Sequence, residues 1–181
     1  MTPRPTLQTE RLLLRPFVPA DAADVQRLAG DVRIARGTAA VPHPYPDGAA
    51  EQWIASHESL AEAGRELVVA VTLRTSGELV GAASLLAISA VHARAELGYW
   101  IGTPYWSQGY ATEAARALVD WGTRDLGLTR IVARCLAWNT ASAAVLRKVG
   151  LEDEGRLVQH EIREGVPVDS LLFGLVLPGR A

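Results

Sequence analysis

The sequence predicts an α/β fold built on a mixed sheet, and three observations carry that reading. Between Glu96 and Thr112 a strand runs into a loop and then into a helix. Leu97, Tyr99 and Ile101 alternate with Gly98 and Trp100, Gly102 and Pro104 stop the strand, and from Ala111 the apolar period changes. A second apolar run, Thr129 to Leu136, follows that helix. Strand, helix, strand at this spacing makes a βαβ unit with parallel strands and a right-handed crossover. Further strand-like runs separated by turn residues flank the unit, so helices are expected on both faces of one sheet.

Each element has its own local reason. Arg11 to Pro16 reads as a first strand, with Leu12 and Leu14 on one face. Pro19-Ala-Asp21 starts a helix that Asp21 can cap, and Ala22, Val25, Leu28 and Ala29 form its apolar stripe. Asp31 to Gly48 is expected to be irregular, because Pro42, Pro44 and Pro46 bar a helix interior. Ala49 to Ala63 is a second helix, packing through Trp53, Ile54, His57 and Leu60. Glu66 to Leu73 and Leu79 to Leu86 are strands joined by a hairpin at Thr75-Ser-Gly77.

The long helix after the Glu96 strand presents Ala111, Ala114, Ala115, Leu118, Trp121, Gly122 and Leu126 on one side. Thr112 or a nearby loop residue can cap it, and Glu113 suits the positive end of its dipole. Ala141 to Lys148 is a short helix stopped by Gly150. Leu151 to His160 and Asp169 to Leu177 are late strands, with a turn near Gly165-Val-Pro167; Glu152-Asp-Glu154 reads as a solvated turn.

Composition excludes several classes. At 181 residues and 49% hydrophobic, the chain is expected to form a single domain, 1–181, with a well-buried core. Eighteen basic against 20 acidic residues give no basic excess for nucleic acid. Cys135 is the lone cysteine, which rules out an intrachain disulfide and a cysteine-based zinc site; inside an apolar strand it reads as a core residue. His43, His57, His92 and His160 have no metal spacing, so no metal is expected. No apolar run spans a bilayer and no apolar segment follows Arg4, so no membrane partner is expected and a cytoplasmic protein is the default.

The loop before the long helix has anion-binding character. A helix start leaves backbone N–H groups without intrahelical partners, and Gly109 would let a ligand oxygen approach the backbone from Gln108 through Tyr110 and Ala111 to Thr112. A tight turn that binds nothing explains Gly109 alone equally well. Asn139 and Ser142, three apart at the start of the short helix, are both favoured capping residues, and capping alone accounts for them. Glu96 stands alone in an apolar strand, where pairing with Arg94 or another cation is the simple reading and a carboxylate near a reacting amine the sharper one. Tyr45, Trp53, Tyr105 and Trp106 are candidates to line a cleft, although aromatics there also serve packing.

Trp106-Ser-Gln-Gly109-Tyr-Ala111 resembles the acyl-CoA pyrophosphate loop of the GNAT superfamily of N-acetyltransferases, with Trp106 standing where Arg or Gln is usual. Thr9-Glu-Arg-Leu-Leu-Leu-Arg-Pro16, Glu96-Leu-Gly-Tyr-Trp100, Gln108-Gly-Tyr-Ala-Thr-Glu-Ala114 and Asn139-Thr-Ala-Ser142 are similar to the Rim-type branch of ribosomal-protein N-terminal acetyltransferases. The resemblance spans most of the chain. It implies the GNAT fold, whose two central parallel strands splay apart around the pantetheine arm, and acetyl-CoA as cosubstrate. It implies that the backbone of Tyr99, Trp100 and Ile101 meets the pantetheine amides and that Asn139 contacts the CoA arm. It makes Ser142 a candidate to protonate the departing thiolate, and the strand carboxylate Glu96 a candidate proton relay.

The implied reaction is direct transfer to a primary amine, for which no covalent enzyme intermediate is needed and no nucleophile elbow is present. An α-amine with pKa near ~8 is about a tenth neutral at pH 7, whereas a lysine near ~10.4 is neutral to only about 0.04%. A weak or water-mediated base therefore suits the N-terminal amine of a ribosomal or other protein. A polyamine, amino acid or aminoglycoside acceptor is the alternative, as is a non-catalytic acyl-CoA-binding module. Monomer and homodimer are both open.

Overall fold

The computed structural model describes residues 4–177. In chain order its elements are β1 (Leu7–Gln8), β2 (Leu12–Arg15), α1 (Ala22–Ala29), α2 (Val32–Gly37), α3 (Ala49–Glu62), β3 (Leu67–Leu73), β4 (Leu79–Ser89), β5 (Arg94–Ile101), α4 (Tyr110–Leu126), β6 (Arg130–Leu136), α5 (Thr140–Val149), β7 (Glu152–Arg163) and β8 (Val166–Val176). The strands make one eight-stranded sheet in the order β1-β2-β3-β4-β5-β6-β8-β7. Only β5 and β6 pair in parallel, as the βαβ spacing requires; every other neighbour is antiparallel.

Alternation along the strands builds two cores, one on each face. Leu67, Val69 and Val71 of β3 pack with Ala114, Ala115 and Leu118 of α4. Val68 and Ala70, pointing the other way, join Val25 and Leu28 of α1 and Ala50 and Ile54 of α3. Small residues on the buried stripe of α4 let its backbone lie close to the sheet. A Cβ at Gly122 would meet Leu85 and Leu128 methyls at 3.0 Å.

Several local expectations are corrected. The 31–48 segment is not wholly irregular, because Asp31 accepts from the Arg33 amide at 2.9 Å and starts the short helix α2. Asp21 does not cap α1. Its carboxylate accepts from the Val18 amide at 2.9 Å and pairs with Arg15 at 2.7 Å, closing the 3-10 turn Pro19–Asp21. No side chain caps α4, so Thr112 has no capping role. The last hairpin turns at Glu164 and Gly165, with φ of 50° and 79°, and leaves Val166 and Pro167 inside β8. Glu152-Asp-Glu154 opens β7 instead of turning; Asp153 pairs with Arg147 at 2.7 Å and Glu154 pairs with Arg130.

His57 is buried at 3% exposure with neither ring nitrogen hydrogen-bonded. It packs against Trp53 at 4.5 Å, edge-on, and against Phe17 at 5.4 Å. Burial, with a smaller contribution from Arg4, lowers its pKa from 6.5 to about 4. An unfolded chain takes up a proton here near pH 6.5, whereas the folded one resists until about pH 4. The neutral ring therefore carries no penalty above 6.5; stability falls as pH drops through that window and levels off below it. Urea midpoints taken across the window should fall less steeply for His57→Leu than for the parent. Identical slopes would assign the acid sensitivity to other groups.

Candidate active site

The parallel pairing of β5 and β6 lasts for three residue pairs, Arg94 with Arg130, Ala95 with Ile131 and Glu96 with Val132. Beyond them β5 continues to Ile101 and β6 to Leu136 without meeting. A cavity of about 550 Å³ passes through this split. Glu96, Gly98, Trp100 and Arg134 line it from the α1–α3 face, and Tyr99, Cys135 and Ser142 from the α4–α5 face. Both strands end toward the starts of the helices that follow them, so α4 and α5 begin on the same side of the molecule.

The two helix starts differ. Gly109 precedes α4 at φ 81°, and no side chain takes the first-turn N–H groups. Conserving that open start is the work of a clamp from the first strand region. Arg11 donates through Nη1 to the Gln108 carbonyl at 2.9 Å, lies 4.8 Å from the Tyr110 ring centre and pairs with Glu113 at 2.7 Å. Thr9 Oγ1 donates to the same Glu113 carboxylate at 2.6 Å. A Cβ on Gly109 would sit 3.4 Å from Arg11 Nη2, so the elbow has a guanidinium on one side and no side chain of its own. Ser107 also holds a positive φ of 62°. Trp106 donates its indole N–H to the Ile101 carbonyl at 2.6 Å, so that carbonyl already has a partner.

At α5 the start is closed. Asn139 Oδ1 accepts from the Ser142 amide at 3.0 Å, and its Nδ2 donates to the Gly37 carbonyl at 2.9 Å. The Ser142 and Tyr99 hydroxyls are 2.9 Å apart, and the Tyr99 hydroxyl also reaches the Ser142 carbonyl at 3.1 Å. Burial pushes the Tyr99 pKa above its ordinary value, so this hydroxyl stays protonated near neutrality. Burial also pushes the Cys135 thiol up; at 7% exposure it is a core residue beside the cavity and holds its proton at neutral pH.

On the other face Glu96 pairs with Arg134 at 3.1 Å, not with Arg94. Arg134 also reaches Glu161 at 3.6 Å and His160 Nε2 at 2.8 Å. Tyr45 and Trp53 line the cavity, whereas Tyr105 turns away to bond Glu78 and Trp106 serves the strand end. Sequence reasoning missed Arg134, Gly37 and Glu66. Glu66 lines the cavity, and its carboxylate has no side-chain partner among the described residues. The Glu66–Leu86–Glu96 row comes from strand register: Leu67 pairs with Leu85, and Leu86 with Glu96. No local motif carries that information.

An open helix start beside a gap through a mixed sheet defines an acyl-CoA N-acyltransferase architecture. The acetyltransferase (GNAT) domain family matches residues 11–152, and the chain belongs to that family. Over 96% of its length it is 30% identical to the uncharacterised N-acetyltransferase YoaA of Bacillus subtilis (strain 168), covering 98% of that protein. It is 35% identical to the spermidine N(1)-acetyltransferase of Escherichia coli (strain K12) over 85 residues, 47% of this chain and 45% of that one. Among solved structures it is similar to Mycobacterium smegmatis RimJ in complex with CoA-disulfide. The identity is 27% and the TM-score 0.82, over 91% of this chain and 81% of that one.

Gly109→Ala places a Cβ on a left-handed residue at the open helix start, a conformation that costs an L-residue about 1–2 kcal/mol. Calorimetry should therefore show acetyl-CoA binding weakened about tenfold, as the loop leaves its present shape. Unchanged affinity would place the diphosphate elsewhere.

Proposed function

We propose that this chain, acting as one domain, moves the acetyl group of acetyl-CoA directly to a primary amine, and that the acceptor is the N-terminal α-amine of a peptide or protein. The carrying observation is the cavity that crosses the sheet at the β5–β6 split. It joins a face with hydroxyl donors to a face with carboxylates, so the acyl donor and the amine can approach from opposite sides. What supports a CoA thioester in the split is its fit: an uncapped α4 start for the diphosphate and an unpaired β5 edge for the pantetheine amides.

Within that reading, Gln108, Gly109, Tyr110, Ala111 and Thr112 present backbone N–H groups to the diphosphate, while Tyr99 and Trp100 offer strand groups to the arm. Ile101 contributes less, since Trp106 already holds its carbonyl. Ser142 donates a proton to the departing sulfur, and Tyr99 orients the Ser142 hydroxyl. Glu96, held by Arg134, accepts the amine proton through water. The raised Cys135 pKa supports direct attack over a thiol-bound intermediate.

A small amine is the second reading. The cavity is walled by the segment after α2 and by Tyr45 and Trp53, and a spermidine acetyltransferase is among the relatives. Released CoA, followed with a thiol reagent, separates the readings across N-terminal peptides, polyamines and amino acids. Peptide turnover at the highest kcat/KM supports the first reading, polyamine turnover the second, and tight acetyl-CoA binding without turnover would replace both with a binding module. On the best acceptor, Ser142→Ala should slow single turnover about a hundredfold at saturating acetyl-CoA. Tyr99→Phe should slow it roughly three- to tenfold. A Ser142→Ala rate equal to the parent's would remove its role as acid.

A further inference from the structure

The cavity carries more negative charge than acetyl transfer uses. Among the described residues its charged lining is three carboxylates, Glu66, Glu96 and Glu161, and one guanidinium, Arg134. Arg134 is shared between Glu96 at 3.1 Å and Glu161 at 3.6 Å. The Glu66 carboxylate has no hydrogen bond or ion pair with any described residue. Glu66 lies one residue before β3, and the Ile88 N–H donates to the Arg65 carbonyl at 2.9 Å, so the pairing of β3 with β4 runs on past it. That register sets Glu66, Leu86 and Glu96 side by side along the cavity, with Glu66 two strand spacings, roughly 10 Å, from Glu96.

We infer that Glu66 is a specificity-determining residue of the acceptor site, and that it selects amines carrying a second, permanent positive charge. The reacting amine must be neutral to attack, so a further carboxylate does nothing to hold it in its reactive form. Glu66 is also separated from the β5–β6 split by β4 and β5, too far to take the proton released there. A group that stays charged throughout the reaction is the partner that a carboxylate without a counter-ion favours. Leu86, between the two carboxylates, offers apolar surface to the methylene chain that joins such a cation to the reacting nitrogen. Two sources share this chemistry, a basic side chain next to a peptide N-terminus and the far amine of a diamine. The inference rests on the acetyl-transfer reading above and names its acceptor class, and acceptor binding gives it a readout that needs no turnover.

Peptides beginning Ala-Arg and Ala-citrulline differ in that one charge, and the guanidinium, always protonated, is no acceptor itself. Diaminopentane and aminopentanol form the matching small-molecule pair. Calorimetry on the CoA-loaded protein should show the charged member of one pair binding about tenfold tighter than the neutral member. The pair that shows the preference identifies the source, and kcat/KM for acetyl transfer should follow it through KM. Glu66→Gln should bring the two members within about twofold of each other, with acetyl-CoA affinity and kcat on the neutral member at the parent values. Glu66→Lys should go further and favour the neutral member. An equal charged-to-neutral ratio in Glu66→Gln and the parent would overturn the inference, as would a parent that binds both members of both pairs alike. If every amine fails to turn over, the acetyl-transfer reading falls, and the binding ratios still decide the role of Glu66.

Discussion

The structure depends on an interruption: two parallel strands that begin as partners and then part. β5 and β6 share three pairs, after which β6 follows its other neighbour. β6 pairs with β8 along its whole length, from Arg130 opposite Val176 to Leu136 opposite Ser170. β5 is likewise held by β4, from Arg94 to Ile101. Each strand is therefore fixed on its outer edge and left unpaired on its inner edge. Buried backbone groups need partners, so an unpaired inner edge in the middle of a sheet is costly unless something extended lies along it. The inner edges face the cavity of about 550 Å³, where water or an extended ligand can satisfy them.

The helices that follow the two strands treat their free N–H groups in opposite ways. α4 begins at a glycine with no capping side chain and stays open to an anion. α5 begins at Asn139, which closes the turn and places the Ser142 hydroxyl beside Tyr99. One start can thus receive a charged group while the other holds a neutral donor in place. The open start is costly to keep rigid, and the Thr9–Arg11–Glu113 network anchors it from a part of the chain about a hundred residues away. Burial raises the Glu113 pKa, but the bonds from Thr9 and Arg11 outweigh it and the net shift is downward, consistent with an ionised anchor.

Much of the fold was legible because its signals are local. The apolar run of β3, the alternation along β5, the three-and-four spacing along α4 and the glycine after α5 all act within a few residues, and each produced its element. Local reasoning failed where a side chain had a distant competitor. Asp21 could have capped a helix, but Arg15 and the Val18 amide took its carboxylate. Thr112 had the right chemistry for a cap and lay inside the helix, because Gly109 had already made the turn. The proline cluster suggested an irregular segment and hid α2, whose start depends on one Asp31 contact.

The chain's residue order by itself determined the class: a strand leading through a glycine elbow into a small-residue helix, followed by a parallel return, makes a mixed α/β sheet, and the resemblance carried by its motifs narrows that sheet to one fold. It also offered the Gln108–Thr112 backbone as an anion site and set Glu96 apart as a lone carboxylate in an apolar strand, while Ser142 was nominated by the resemblance its motif carries. Tertiary structure alone decided which groups meet. Arg134, and not Arg94, faces Glu96 because parallel register places β6 beside β5. Glu66 comes to the cavity through strand pairing, and Gly37 reaches Asn139 through a crossing of the split between residues 102 apart. Such contacts are set by how elements pack, and packing joins residues whose separation along the chain carries no local signal.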